Sequence, residues 1–294
     1  MRWLAVCEDD IPSGDEWLSA AERARQDRMR FTKRRTEYRL RRYAGKRAVA
    51  VALGLTDRLS DPSRLARVEL LNRPGGAPFV RLDGQDAAVD VSLTDRLADP
   101  QRLASVELLN RPGGAPFVRL DGEDVAVDVS LTDRAGWAVC LVGPEGTMAS
   151  GTLGVDLEIV EDRSATFVAD YFTPAEQAFI HGCGAPGSDG WAWSANLLWS
   201  AKEAALKVLR VGLRADTRSV EVTLDLQARP DGWAALSIAA SSGEAFPGWW
   251  RRDGVYLLTL AARVPHQPPA RLDGGSDLAH GIPTHSWIGR PLVQ

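Results

Sequence analysis

Apolar and polar positions recur along the chain with periods that predict most of its elements. Between residues 34 and 54 there is no proline, and Leu40, Ala44, Ala48, Val51 and Leu55 recur at intervals of three or four, which predicts a basic amphipathic helix. WAVCLV at 137–142 and GTLGVDLEIV at 151–160 read as strands. Thr173-Pro174-Ala175-Glu176 predicts a helix start, with a threonine N-cap, proline at the first helical position, and a glutamate able to reach back to the cap N–H. Residues 195–210 predict a second, stronger helix that ends near Gly212. VEVTLDL (220–226), WAALSIAA (233–240) and VYLLTLAA (255–262) alternate as strands, separated by turns at Asp231-Gly232 and Asp253-Gly254. Past Arg263 the Pro, Gly and His content has no period and predicts a loose tail over 264–294.

One segment occurs twice. Residues 55–92 recur at 93–130 with a period of 38 and differ at five positions, the mark of a recent duplication. Two copies are too few for a solenoid. LTDR at 55–58, 93–96 and 131–134 suggests slippage in a parent shorter by one unit. Each unit reads as a short helical turn begun by Asp-Pro, then VELL, an RPGGAP turn, FVRL, an Asp-Gly turn and VDVSL. The second copy, with residues 93–142, is expected to occupy the native slot and the first to loop out, because extra loop length costs little. The expected fold class is α+β: an N-terminal half over 1–142 that holds the duplication, a similar C-terminal half over 143–263, and the tail.

Composition supports a packed core. The 294 residues are 45% apolar and 25% charged, which excludes collagen-like and simply disordered chains. The net charge of −4 hides an asymmetry, since residues 23–47 hold twelve Arg or Lys against two acids while 154–162 is acidic. One region suits an anionic ligand and the other a cation. Three scattered cysteines without CxxC spacing argue against a disulfide framework and a zinc site. No apolar run approaches the ~18 residues of a membrane span, and the start of the chain does not read as a signal peptide. A cytoplasmic monomer is expected.

Asp156 and Glu158 lie two apart on a predicted strand, so both carboxylates project from one face. A shared cation would relieve their repulsion, and oxygen-only ligands suit Mg²⁺; a solvated strand edge would relieve it too. On the predicted helix Leu198, Ala205, Leu206 and Leu209 form the apolar stripe, with Glu203 and Lys207 four apart on another face. These two would make an ordinary surface ion pair, or Ser200 and Glu203 a capping box. Alternatively Glu203 completes a three-carboxylate site with Lys202 and Lys207 beside it, a combination suited to a pyrophosphate. Arg41, Arg42, Lys46 and Arg47 cluster on the basic helix, either as a phosphate site or as a solvated face. Nucleic-acid binding is not expected, because the chain is acidic overall and shows no recognisable binding module.

Together these segments resemble a known family. Gly154-Val155-Asp156-Leu157-Glu158, Phe172-Thr173-Pro174-Ala175-Glu176 and Trp199-Ser200-Ala201-Lys202-Glu203-Ala204-Ala205-Leu206-Lys207 resemble, in order and spacing, the GVDxE and WxxKEAxxK motifs of Sfp-like 4′-phosphopantetheinyl transferases. The likeness extends more weakly over most of residues 20–262. It implies a pseudo-dimer of two α/β halves with antiparallel sheets, with coenzyme A and Mg²⁺ bound between them. It also implies transfer of the phosphopantetheine arm to a serine of an acyl or peptidyl carrier protein. By the same resemblance Asp156, Glu158 and Glu203 hold the metal, Glu203 accepts the serine proton, and Lys207 serves the leaving phosphate. Lys202 is then a second phosphate contact, and Arg42 and Lys46 hold the nucleotide end. Glu176 also matches a family position, but its capping role suffices to explain it. Where many members have Ser-His-Ser, this chain has Thr132-Asp133-Arg134; an acid replaces a phosphate-binding His, and Arg134 is the expected substitute. The lysine common before proline in the GGAP turn is Ala77 or Ala115 here. Asp133 and the duplication motivate a second reading, a catalytically impaired protein that binds carrier proteins or coenzyme A.

Overall fold

A computed structural model describes residues 1–18, 20–52, 68–72, 78–82, 85–86, 106–110, 116–120, 123–125, 127–144 and 153–284. The chain divides into two units. The first comprises Met1–Asp133, Trp137–Thr152 and Pro269–Ser276, and the second Arg134–Gly136, Leu153–Pro268 and Asp277–Gln294.

In the first unit, β1 (Arg2–Cys7) is followed by α1 (Ala20–Asp27) and α2 (Thr32–Ala52). The predicted basic helix is thus present two residues early, with Tyr38, Leu40, Ala44 and Ala48 buried. Both repeat copies then form the same hairpin: β2 (Val68–Asn72) with β3 (Pro78–Leu82), and β5 (Val106–Asn110) with β6 (Pro116–Leu120). Their registers are equivalent, Val68 facing Leu82 and Val106 facing Leu120. The short β4 (Gln85–Asp86) and β7 (Glu123–Val125) extend each hairpin, and a bridge between Arg81 and Glu107 joins the copies into one sheet.

The last strands of the unit, β8 (Val127–Arg134) and β9 (Trp137–Pro144), are neighbours in a second sheet, where β9 also pairs antiparallel with β1. β2 of the first copy lies against α1 and α2, and the second copy leads into the β8–β9 hairpin. The Asp-Pro turns, the RPGGAP turns and strand 89–93 fall outside the described residues.

The segment expected to be a loose tail is anchored over its described part, residues 264–284. Ala270–Arg271 pairs parallel with Arg2 and Trp3, and the N–H groups of Leu272 and Ser276 donate to the carbonyls of Trp3 (2.7 Å) and Ala5 (2.8 Å). Leu272 and Leu278 are buried. Two apolar anchors and main-chain pairing suffice here without any sequence period.

The second unit opens with β10 (Leu153–Ile159), followed by α3 (Ala165–Tyr171), α4 (Pro174–Cys183) and α5 (Asp189–Leu209). It continues with β11 (Val220–Leu224), β12 (Ala234–Ala240), β13 (Ala245–Asp253) and β14 (Tyr256–Ala262), in the antiparallel order β10-β14-β13-β12-β11. β13 went unpredicted because Pro247 and Gly248 interrupt it. The proline is tolerated because it pairs only with Ser237 on β12; pairing with β14 begins at Gly248. α5 starts six residues earlier than predicted, capped by Ser188, whose hydroxyl accepts from Trp191 N–H at 3.1 Å. It is buried nearly all round, and Trp191, Leu198, Ala201, Ala205 and Val208 pack with Phe172, Ile180, Ile238 and Phe246 in the core. The fold is α+β with antiparallel sheets.

Candidate active site

A close crossing of α5 over β10 organises the site. A Cβ on Gly154 would stand 1.9 Å from the Ala204 carbonyl oxygen, so the glycine lets the helix approach the strand one residue after Glu203 and two residues before Asp156. Gly154→Ala is expected to cost about 1–3 kcal/mol as an overpacking change, checked by urea denaturation. It should also weaken any function that needs both elements in place.

On the face of α5 toward this crossing, Asn196, Ser200, Glu203 and Lys207 recur at intervals of four, three and four, forming a polar seam. Ser200 Oγ lies 2.8 Å from Thr259 Oγ1 on β14, and Thr259 sits opposite Asp156 in the sheet register. Lys207 Nζ donates to Asp156 Oδ1 at 2.7 Å and to the Val155 carbonyl at 2.8 Å. Glu158 Oε2 accepts from Arg134 Nε at 2.7 Å and from Arg163 Nη2 at 3.2 Å. Arg134 also pairs with Glu161.

Four carboxylates, Asp156, Glu158, Glu161 and Glu203, thus share one largely buried locality with three cations. Burial and crowding together show in the protonation of Glu158 and Glu203. Burial pushes the Glu158 carboxyl up to about 7, against the pull of Arg134 and Arg163 and with a further push from Asp156. Burial raises Glu203 to about 8, helped by the charges of Asp156 and Glu158 and opposed by Lys207 and Arg163. The structure therefore brings Asp156, Glu158 and Glu203 within electrostatic reach of one another. Among the described residues no three His, Cys, Asp or Glu side chains form a ready metal cage; Asp156 and Glu158 are instead paired with basic side chains. The donor set fits a hard divalent cation nonetheless, being oxygen-only and short of positive charge.

Other expected site residues lie elsewhere. Lys202 is fully buried, donating to Glu176 Oε2 at 2.8 Å, to the Thr217 carbonyl at 2.9 Å and to the Val220 carbonyl. Burial draws its ammonium below the ordinary lysine range. Its protons are taken up by a buried network rather than offered to the phosphate contact that the resemblance implies.

Glu176 does form the capping box with Thr173, and its other oxygen accepts from Val222 N–H at 2.9 Å, so one carboxylate ties α4, α5 and β11 together. In the first unit, Lys46 is fully buried, paired with Glu22 and donating to the Trp17 carbonyl at 3.1 Å. Arg42 is buried with its guanidinium 4.8 Å from the Tyr38 ring centroid. Both face inward, so neither is the exposed phosphate anchor that the basic cluster predicts. Arg41 pairs with Asp133, which neutralises the acid standing where the family carries a histidine.

Residues 152–239 match the 4′-phosphopantetheinyl transferase superfamily. This segment, under a third of the chain, is similar to that superfamily. It runs from β10 through most of β12 and contains Asp156, Glu158, Glu203 and Lys207. No curated protein matches the chain. The structure adds residues that motif reading passed over. Arg163, Glu161 and Asn196 complete the polar network around Glu158, and the polar seam at helical spacing was the signal that could have found Asn196.

Proposed function

We propose that the protein is an Sfp-like transferase that moves the 4′-phosphopantetheine arm of coenzyme A to a serine of an acyl or peptidyl carrier protein, with Mg²⁺ held by Asp156, Glu158 and Glu203. The observation that carries this is the mutual crowding of these three carboxylates, two of them raised toward neutrality, beside Lys207 on the helix that carries Glu203. Mg²⁺ would neutralise the diphosphate as charge builds on it.

The chain's own groups supply the rest. Glu203 accepts the proton of the carrier serine, directly or through water, as the serine oxygen attacks the phosphorus that bears the pantetheine arm. The bond to the departing nucleoside bisphosphate breaks, and Lys207, its side chain 29% exposed on a flexible stem, turns from Asp156 to meet the leaving phosphate. Arg134 serves the site by neutralising Glu158 and Glu161. The pseudo-dimer remains part of this proposal: each unit pairs an antiparallel sheet with a 21-residue helix, α2 in one and α5 in the other. Because Arg41 neutralises Asp133, the acid that motivated a catalytically impaired binding protein no longer weighs against turnover.

The test is incubation of the protein with coenzyme A, Mg²⁺ and a panel of apo carrier proteins, read by mass spectrometry. The reading requires one phosphopantetheine added to the carrier serine, and none after chelation of the metal. Well-folded protein that modifies no carrier rejects it.

A further inference from the structure

The geometry points to Arg163, braced by Asn196, as the residue that positions Glu158 for the divalent cation. The inference rests on the functional reading above. Asn196 is fully buried and its amide is saturated. Oδ1 accepts from Arg163 Nε at 2.6 Å, while Nδ2 donates to the carbonyls of Glu161 at 2.6 Å and Ala192 at 2.7 Å. An amide held at three points cannot turn to another partner.

Arg163 is fixed in the same way. Its carbonyl accepts from Trp191 Nε1 at 2.7 Å, and its guanidinium lies 4.8 Å from the Phe167 ring centroid. So constrained, Nη2 reaches Glu158 Oε2, the same oxygen taken by Arg134 Nε. Two guanidiniums converge on Oε2, and among the described residues no hydrogen bond reaches Oε1. A carboxylate pinned by one oxygen holds the other in a fixed direction, which is the arrangement that partners behind a ligand impose on it. Lys207 differs, holding Asp156 by a flexible stem. Asn196 and Glu203 lie seven residues apart on one face of α5, so the brace and the third carboxylate are set by the same helix.

The experiment measures binding of Mn²⁺ alone to the full chain by electron paramagnetic resonance, for wild type, Asn196→Ala and Arg163→Lys. Both substitutions preserve the net charge of the cluster, so a change in affinity reports orientation rather than charge. A lysine carries no planar fork to span Asn196 and Glu158 at once. The expected result is a Mn²⁺ dissociation constant raised about 10-fold or more in both variants. Their circular dichroism should be unchanged, and transfer activity should return at saturating metal.

Folded variants that bind Mn²⁺ as wild type does, or more tightly, overturn the inference; tighter binding would mean that the guanidinium competes with the cation. If Asn196→Ala does not fold, Arg163→Lys carries the test. Unchanged variants beside an active, metal-binding wild type remove this inference alone. A wild type that binds no Mn²⁺ removes it together with the metal-dependent part of the functional reading.

Discussion

Glu203→Gln is expected to lower phosphopantetheine transfer by about 10³-fold, within the range that loss of a positioned general base produces. The substitution keeps the shape of the side chain but removes its ability to take a proton and its charge toward a cation. The same change should leave the metal-free fold intact or slightly stabilised. Burial and the charges of Asp156 and Glu158 already disfavour an ionised carboxylate at this place, so a neutral amide there relieves repulsion. Activity and stability should therefore separate, as read by a transfer assay beside a urea titration. Large losses of both together would assign Glu203 a structural role.

Lys202→Met makes the opposite prediction, a large loss of stability. The lysine stem fits a methionine in volume, but its ammonium meets three acceptors, and without it the Glu176 carboxylate keeps its burial and loses its counter-charge. Breaking a buried ion pair from one side costs about 3–5 kcal/mol. That is a large fraction of the ~5–15 kcal/mol by which domains are stable, so a marked fall in the urea midpoint is expected. Glu176→Gln added to Lys202→Met should recover part of the loss, because removing the orphaned charge removes most of the penalty. If Lys202→Met instead keeps wild-type stability and weakens coenzyme A binding, the lysine belongs with the phosphate after all.

Much of the second unit was legible in the chain because its elements are locally consistent. The capping box at Thr173 and Glu176, the period of α5 and the alternation of β11 and β12 each declare one structure. β13 was hidden by Pro247 and Gly248, whose tolerance depends on where pairing with β14 begins. β1 and the anchored segment beyond Arg263 were hidden because each depends on partners far away in sequence.

For the site, spacing made Asp156, Glu158, Glu203 and Lys207 candidates, since period two on a strand and period four on a helix are local, but it left a solvated strand edge and an ordinary surface pair open, and only the family resemblance joined the four. Spacing could not tell the two lysines of the WxxKEAxxK segment apart. Lys202 and Lys207 differ by five residues, and that rotation buries one beneath α4 and leaves the other partly open beside Asp156. Arg42 and Lys46 misled for a related reason. A basic cluster on a helix looks solvated until an acid such as Glu22 is found buried opposite it.

The most direct test of the account is a crystal structure with Mn²⁺, locating the ion by its anomalous scattering. The account predicts a single peak bound by oxygens of Asp156, Glu158 and Glu203, with Lys207 Nζ moved away from Asp156. A well-ordered site with no peak there, or an ion held by other residues while Lys207 still pairs with Asp156, would contradict it.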